Sequence, residues 1–196
     1  MNRNGGNMLK HLIIAGHPDD EVIGCSSILL EDSVGVLYIT TDYSTANTER
    51  NNVRNFLALD YQECLKYPIF QLPSINKLAD NIKDIFDSIK PENVYVHHPK
   101  DLHQDHNAIT KATLIAARMN RNNYIKSLSY YYTENPFDLK GCEFKKIDKD
   151  EKIKFISRYK DYIPENHIKT ILAFNEFVGA YSNLGFAEPF EIVYKR

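Results

Sequence analysis

Apolar residues are spaced along the chain in two ways. Short apolar or β-branched runs at 9–15 (Leu-Lys-His-Leu-Ile-Ile-Ala), 34–40, 93–97, 128–133 and 190–194 read as strands. Between them, helical spacing covers 21–31, where Val22, Ile23, Ile28 and Leu29 supply the apolar positions, and 47–66. It returns at 75–89, entered through Pro73-Ser74, at the alanine-rich stretch 108–119, and at 165–178. The mixed-charge run 145–154 reads as a solvated loop and helix start. Strands alternating with helices imply parallel pairing through crossovers. The pattern predicts a single Rossmann-like α/β domain over 9–196, a three-layer arrangement with a mostly parallel sheet and helices on both faces. A polar, flexible N-terminus, 1–8, precedes it.

Composition narrows the function classes. With 43% hydrophobic and 26% charged residues in 196, the chain is neither disordered nor collagen-like. A net charge of -2 argues against nucleic acid as a partner. No apolar run approaches the roughly 18 residues that span a bilayer, and Met1–Lys10 has no apolar export segment. These features predict a cytoplasmic protein that does not engage a membrane. Cys25, Cys64 and Cys142 are odd in number and widely spaced, which fits reduced thiols and not a disulfide framework or a cysteine zinc site.

In such a sheet, ligands bind beyond the carboxyl ends of the strands. His17-Pro18-Asp19-Asp20-Glu21 follows the first strand, and His98-Pro99-Lys100-Asp101-Leu102-His103-Gln104-Asp105-His106 follows the 93–97 strand. Neither GxGxxG nor a P-loop pattern occurs, so a dinucleotide or P-loop nucleotide is not expected. In the first cluster, His17 falls near a helix cap, Pro18 suits the first helical position, and Asp19–Glu21 occupy the first turn. Helix capping explains one such acid but not two adjacent acids behind a His-Pro. The i, i+3 spacing lets His17 and Asp20 converge on one ion, with Asp19 at a neighbouring position. His103 and His106 repeat the spacing at a helix start and share a face. A lone histidine is usually structural, which is the reading for His11 and His167. Two histidines and a carboxylate with open positions fit catalytic zinc, and the same set also holds ferrous iron.

Ala15-Gly16-His17-Pro18-Asp19-Asp20-Glu21-Val22-Ile23-Gly24-Cys25 resembles the signature of the PIG-L/LmbE-like deacetylases. Asp101-x-His103-x-Asp105-His106 matches the family's second motif. Thr41-Asp42 and Ala187-Glu188-Pro189-Phe190-Glu191 match more weakly. The resemblance implies a Rossmann-like fold and a metal-dependent, mostly zinc, N-deacetylase of amino sugars and related small conjugates. By resemblance, His17, Asp20 and His106 are the metal ligands. Asp19 is the general base, and His103 stabilises or protonates at the tetrahedral stage. Asp101, Arg54 and Asp42 are supporting or substrate-contacting positions. The chain departs from the family at Tyr43, where Gly is usual after Thr-Asp, and at Ser26 and Ser27, where glycines are common. A substrate-binding Arg, normally followed three residues later by Glu, is matched by Arg54 or Arg50, but Leu57 and Val53 stand at those later positions. No particular sugar is therefore carried over.

With the resemblance set beside the residues, three readings remain. One is an N-deacetylase acting on a small-molecule N-acetylated amino sugar, with no nucleic-acid or membrane partner and homo-oligomerisation left open. The others are a metal-dependent esterase or phosphoester hydrolase on the same ligands, and a sugar- or nucleotide-binding module without catalysis. Residues 43–50 and 133–150 are the expected pocket walls.

Overall fold

A computed structural model describes residues 8–41, 56, 59–118, 124–133, 138–161 and 163–196. Seven strands are assigned: β1 (His11–Ala15), β2 (Val34–Thr40), β3 (Tyr61–Tyr67), β4 (Asn93–His97), β5 (Ser127–Tyr131), β6 (Cys142–Lys146) and β7 (Ala187–Lys195). They form one sheet in the order β3-β2-β1-β4-β5-β7-β6. Pairing is parallel from β3 through β5, and β7 runs antiparallel to both β5 and β6. From β1 the chain winds outward through β2 and β3, then crosses back and winds the other way through β4 and β5. The crevice between the ends of β1 and β4 is thus a topological switch point, where such sheets take their ligands.

Among the described residues, the helices α1 (Asp20–Gly24), α2 (Ser26–Leu29), α3 (Ile75–Ile89), α4 (Gln104–Arg118), α5 (Lys149–Ile156) and α6 (Glu165–Ser182) complete the layers. Because side chains alternate along a strand, β1 feeds two cores. Ile13 and Ala15 pack with Val22, Ile28, Phe155 and Ile171 on one face. Leu12 and Ile14 pack with Leu78, Ile82, Phe86, Ile109 and Ala112 on the other. All seven residues of β2 are buried, as a strand covered on both faces requires. The three-layer α/β expectation therefore holds. No helix among the described residues is long and apolar enough to cross a membrane.

Several local expectations change. The helix expected over 21–31 breaks at Cys25 into α1 and α2. The reason is tertiary: the Glu188 carboxylate accepts the Ser26 and Ser27 N–H groups and caps a second start. Gly24 lets this turn pack on β5, since a Cβ there would lie 2.3 Å from Tyr131 Cδ2. Within the expected 47–66 helix, residues from Tyr61 onward form β3; 47–55, 57 and 58 lie outside the described residues. An edge strand pairs on one side only, so β3 carries Gln62, Glu63 and Lys66 and imitates an amphipathic helix. The 145–154 run contains the end of β6 as well as α5, and β7 begins at Ala187 instead of 190. Helix α4 begins at Gln104, four residues before its alanine-rich part.

Candidate functional site

The β1–α1 turn is shaped around the second cluster. Asp20 opens α1, so Pro18 lies before the helix instead of inside it, and Asp19 is the N-cap with φ 120°. That backbone angle is strained for a residue with a side chain. It is held by Glu21, whose Oε2 accepts the Asp19 N–H at 3.1 Å and whose Oε1 accepts the Tyr159 hydroxyl at 2.5 Å. Gly16 is required just before, because a Cβ would come 2.8 Å from His106 Cδ2 and 3.2 Å from Asp20 Oδ2.

Three atoms then converge. His17 Nδ1 lies 3.5 Å from Asp20 Oδ2, His106 Nε2 lies 3.4 Å from the same oxygen, and the two nitrogens are 3.1 Å apart. A tetrahedral ion with bonds of 2.0–2.1 Å needs donors about 3.3 Å apart. The residues present therefore fit a divalent cation in spacing and in N, N, O chemistry. The outer nitrogens support this orientation. His17 Nε2 is 3.3 Å from Asp105 Oδ2, which leaves Nδ1 facing the centre. Asp101 Oδ2 lies 3.0 Å from His106 Nδ1. Asp101 is itself fixed by the Thr133 hydroxyl and the His103 N–H, both at 2.8 Å.

The electrostatics follow from burial and from crowding. Burial alone would lower His106, but Asp20 and Asp101 outweigh it and push its pKa up to about 10. Burial would raise Asp20, yet the charges of His106 and His97 hold it well below the usual range. For His17 the Asp20 interaction overcomes burial and raises the imidazole. Burial would lift Asp101 too, but His106 draws it down to about 2. A buried carboxylate here recruits positive charge from protons, and a cation would displace those protons.

His103 stands just before α4, its ring centroid 4.6 Å from those of His17 and His106. Its Nδ1 accepts the Asp105 N–H at 3.2 Å, so the neutral ring carries its proton on Nε2 as a donor. Two sets of mutually close donors occur among the described residues, His17 with His103 and His106, and Asp20 with His97 and His106, and Asp19 belongs to neither. Thr41-Asp42 is described only at Thr41, and Asp42, Arg50 and Arg54 lie outside the described residues.

Two residues escaped sequence reasoning. His97, fully buried, stacks on His106 with centroids 3.6 Å apart, and its Nε2 accepts the Gly16 N–H at 2.9 Å. Burial drops its pKa to about 4. The signal was present: it is the last residue of β4, next to His98. His98 serves elsewhere, with Nε2 2.9 Å from Glu191 and its ring stacked on Tyr132. Its place in sequence makes Glu21 one more acid of the first turn, but it is fully buried, and burial raises it to about 7. Of the expected pocket walls, 43–50 lies outside the described residues. Thr133, with Tyr132, Ile23, Phe174 and Phe177, lines a cavity of about 550 Å³ beside the site, to which 138–150 does not contribute.

Comparison with known proteins places this arrangement. The fold is shared with a conserved protein of Thermus thermophilus (22% identity, 96% of each chain covered, TM-score 0.83). It is also shared with an N,N'-diacetylchitobiose deacetylase of Pyrococcus horikoshii (20% identity, 95% of this chain and 84% of that one, TM-score 0.75). A 4-carboxy-2-hydroxymuconate hydratase of Pseudomonas putida is similar as well (15% identity, 95% and 97% covered, TM-score 0.68). No curated protein matches the chain in sequence. The family model described as PIG-L, GlcNAc-PI de-N-acetylase, matches residues 12–117, which run from β1 through α4 and carry every donor of the convergent triangle. The chain belongs to the PIG-L family.

Proposed function

We propose that this protein is a zinc- or iron-dependent hydrolase that removes the N-acetyl group from an N-acetylated amino sugar or related small conjugate, working in the cytoplasm. The observation that carries this reading is the triangle of His17 Nδ1, Asp20 Oδ2 and His106 Nε2, with sides of 3.1–3.5 Å. Family membership and the chitobiose deacetylase likeness direct it toward acetamides of sugars. A divalent cation held by these three residues supplies Lewis acidity and water that ionises near neutral pH.

The chain's own residues do the remainder. Asp19, outside the ligand set, takes the proton of the attacking water as general base. The strained backbone held by Glu21 fixes where that carboxylate begins. The Nε2–H of His103 donates to the oxygen of the former carbonyl as it gains charge, and its orientation is set in advance by the Asp105 N–H. The proton collected by Asp19 then passes to the departing amine as the C–N bond breaks. Asp105 and Asp101 keep the two ligand imidazoles in register throughout.

Acetate release should be measured with zinc- or iron-loaded protein on a panel of N-acetyl amino sugars and nucleotide sugars, alongside ester and phosphoester substrates. Acetate release from N-acetyl sugars alone is expected. Turnover of phosphoesters only, or of nothing, overturns the reading.

A further inference from the structure

Phe70 stands beside the site and has no part in the chemistry just derived. It follows β3 on the loop before α3, adopts φ 62°, and leaves its side chain largely in solvent, 62% exposed. A bulky residue rarely enters the left-handed region, where glycine or asparagine sits without cost. The conformation is held from within the site: Asp105 Oδ2, the oxygen that also faces His17 Nε2, accepts the Phe70 N–H at 2.9 Å. The phenyl ring lies nearly parallel to the His103 imidazole, 18° apart with centroids at 5.0 Å. Leu102, adjacent to His103, is 78% exposed. The chain therefore accepts an unfavourable backbone and an exposed aromatic one ring-layer outside the oxyanion donor. Neither helps folding, and backbone outliers of this kind gather at ligand contacts.

We propose that Phe70 is a substrate-stacking residue, its outer face receiving the apolar C–H face of a pyranose ring. This inference rests on the proposed deacetylase reading for its choice of sugar. A flat, exposed ring next to His103 meets the part of the substrate attached to the acetamide, and aromatic faces are the side chains suited to flat apolar surfaces. Phe70 thus separates amino sugars from acyclic acetamides without touching the reacting atoms.

The test uses the metal-loaded full chain, with Phe70→Gly and the conservative Phe70→Tyr. Stacking of this size predicts that Phe70→Gly raises KM for N-acetylglucosamine roughly 3- to 10-fold with little change in kcat. Phe70→Tyr should keep the wild-type KM, and hydrolysis of N-methylacetamide should be unchanged in both variants. The melting temperature of Phe70→Gly should equal or exceed that of wild type, because glycine relieves the left-handed strain. Binding of N-acetylglucosamine followed by NMR titration gives a readout independent of turnover, and Kd should weaken by the same factor. Several outcomes overturn the proposal: wild-type protein that binds no pyranose, an unchanged Kd in Phe70→Gly, a clear loss of stability, or a change of mass in solution that assigns the face to a second copy. An equal loss on N-methylacetamide also overturns it, since Phe70 would then act by positioning His103. Pyranose binding that depends on Phe70, without acetate release from any substrate, sustains this inference while removing the deacetylase reading.

Discussion

Glu188 and Asp20 are almost equally inaccessible, 1% and 3% exposed, yet they are buried for opposite purposes. Glu188 is surrounded by donors: the Ser26 and Ser27 N–H groups, the Ser27 hydroxyl, and Lys152 Nζ at 2.5 Å. Lys152 donates a second hydrogen bond to the Ile23 carbonyl. Every charge in that cluster finds its partner inside the protein, and the result ties β7 and α5 to the start of α2. Around Asp20 the His17 N–H donates at 2.7 Å, and imidazole nitrogens of His17, His97 and His106 crowd the same oxygen at 3.3–3.5 Å. The backbone at Asp19 is strained beside it. A buried cluster whose charges are all paired within the protein stabilises the fold, whereas one that crowds several imidazoles on a single carboxylate oxygen presents the donor set that a cation from outside would use.

The contrast predicts that chemistry and stability separate. Asp19→Asn should lower turnover 10²–10⁴-fold, roughly 3–5 kcal/mol of barrier, while metal content and melting temperature stay near wild type. Asp20→Asn and His106→Ala should instead lose the metal, as elemental analysis after identical loading would report. If Asp19→Asn loses the metal and Asp20→Asn keeps it, the two roles are reversed.

The structural cluster should behave the other way. Lys152→Met leaves the Glu188 carboxylate buried without its cation and is expected to cost about 3–5 kcal/mol in urea unfolding. Protein that remains folded should still bind metal and turn over normally. A loss of metal affinity without a loss of stability would show that the two clusters are not independent.

Buried Glu21 sharpens the comparison because it has a hydroxyl and an amide for partners where Glu188 has a lysine. Its folded pKa, raised by burial from 4.5 to about 7, lies above that of the unfolded chain. Below about pH 4.5 both states hold the proton. As pH rises through 7 the unfolded chain has already released it, so stability declines by about 3 kcal/mol and then levels off. Unfolding of chelator-treated protein at pH 5 and pH 8 measures this, and Glu21→Gln should remove most of the difference. An unchanged difference in that variant assigns the decline to the histidines.

The smallest effect concerns the metal itself. At a hundredfold excess over its Kd, zinc should add about 2.7 kcal/mol of stability, with the same increment in Lys152→Met and none in His106→Ala. Denaturant midpoints with and without zinc would show whether the increment follows the Asp20 cluster alone.

Sequence by itself determined the layer order and the place of the site. The apolar runs of β1, β2, β4 and β5 are buried by their own periodicity, and residues that follow a parallel strand must fall at its carboxyl end. His17, Asp20, His103 and His106 were therefore legible as one constellation, since local spacing and strand order suffice to bring them together. Tertiary structure decided what depends on partners distant in the chain. β3 and β6 are edge strands whose polar residues reveal pairing only when a neighbour is present. The break at Cys25 needs the carboxylate of Glu188, more than 160 residues away. The strained turn at Asp19 needs Tyr159 behind Glu21, and the placement of Phe70 needs Asp105. Hydrophobic periodicity is a property of adjacent residues, but buried hydrogen bonds and ion pairs are settled only when remote segments meet.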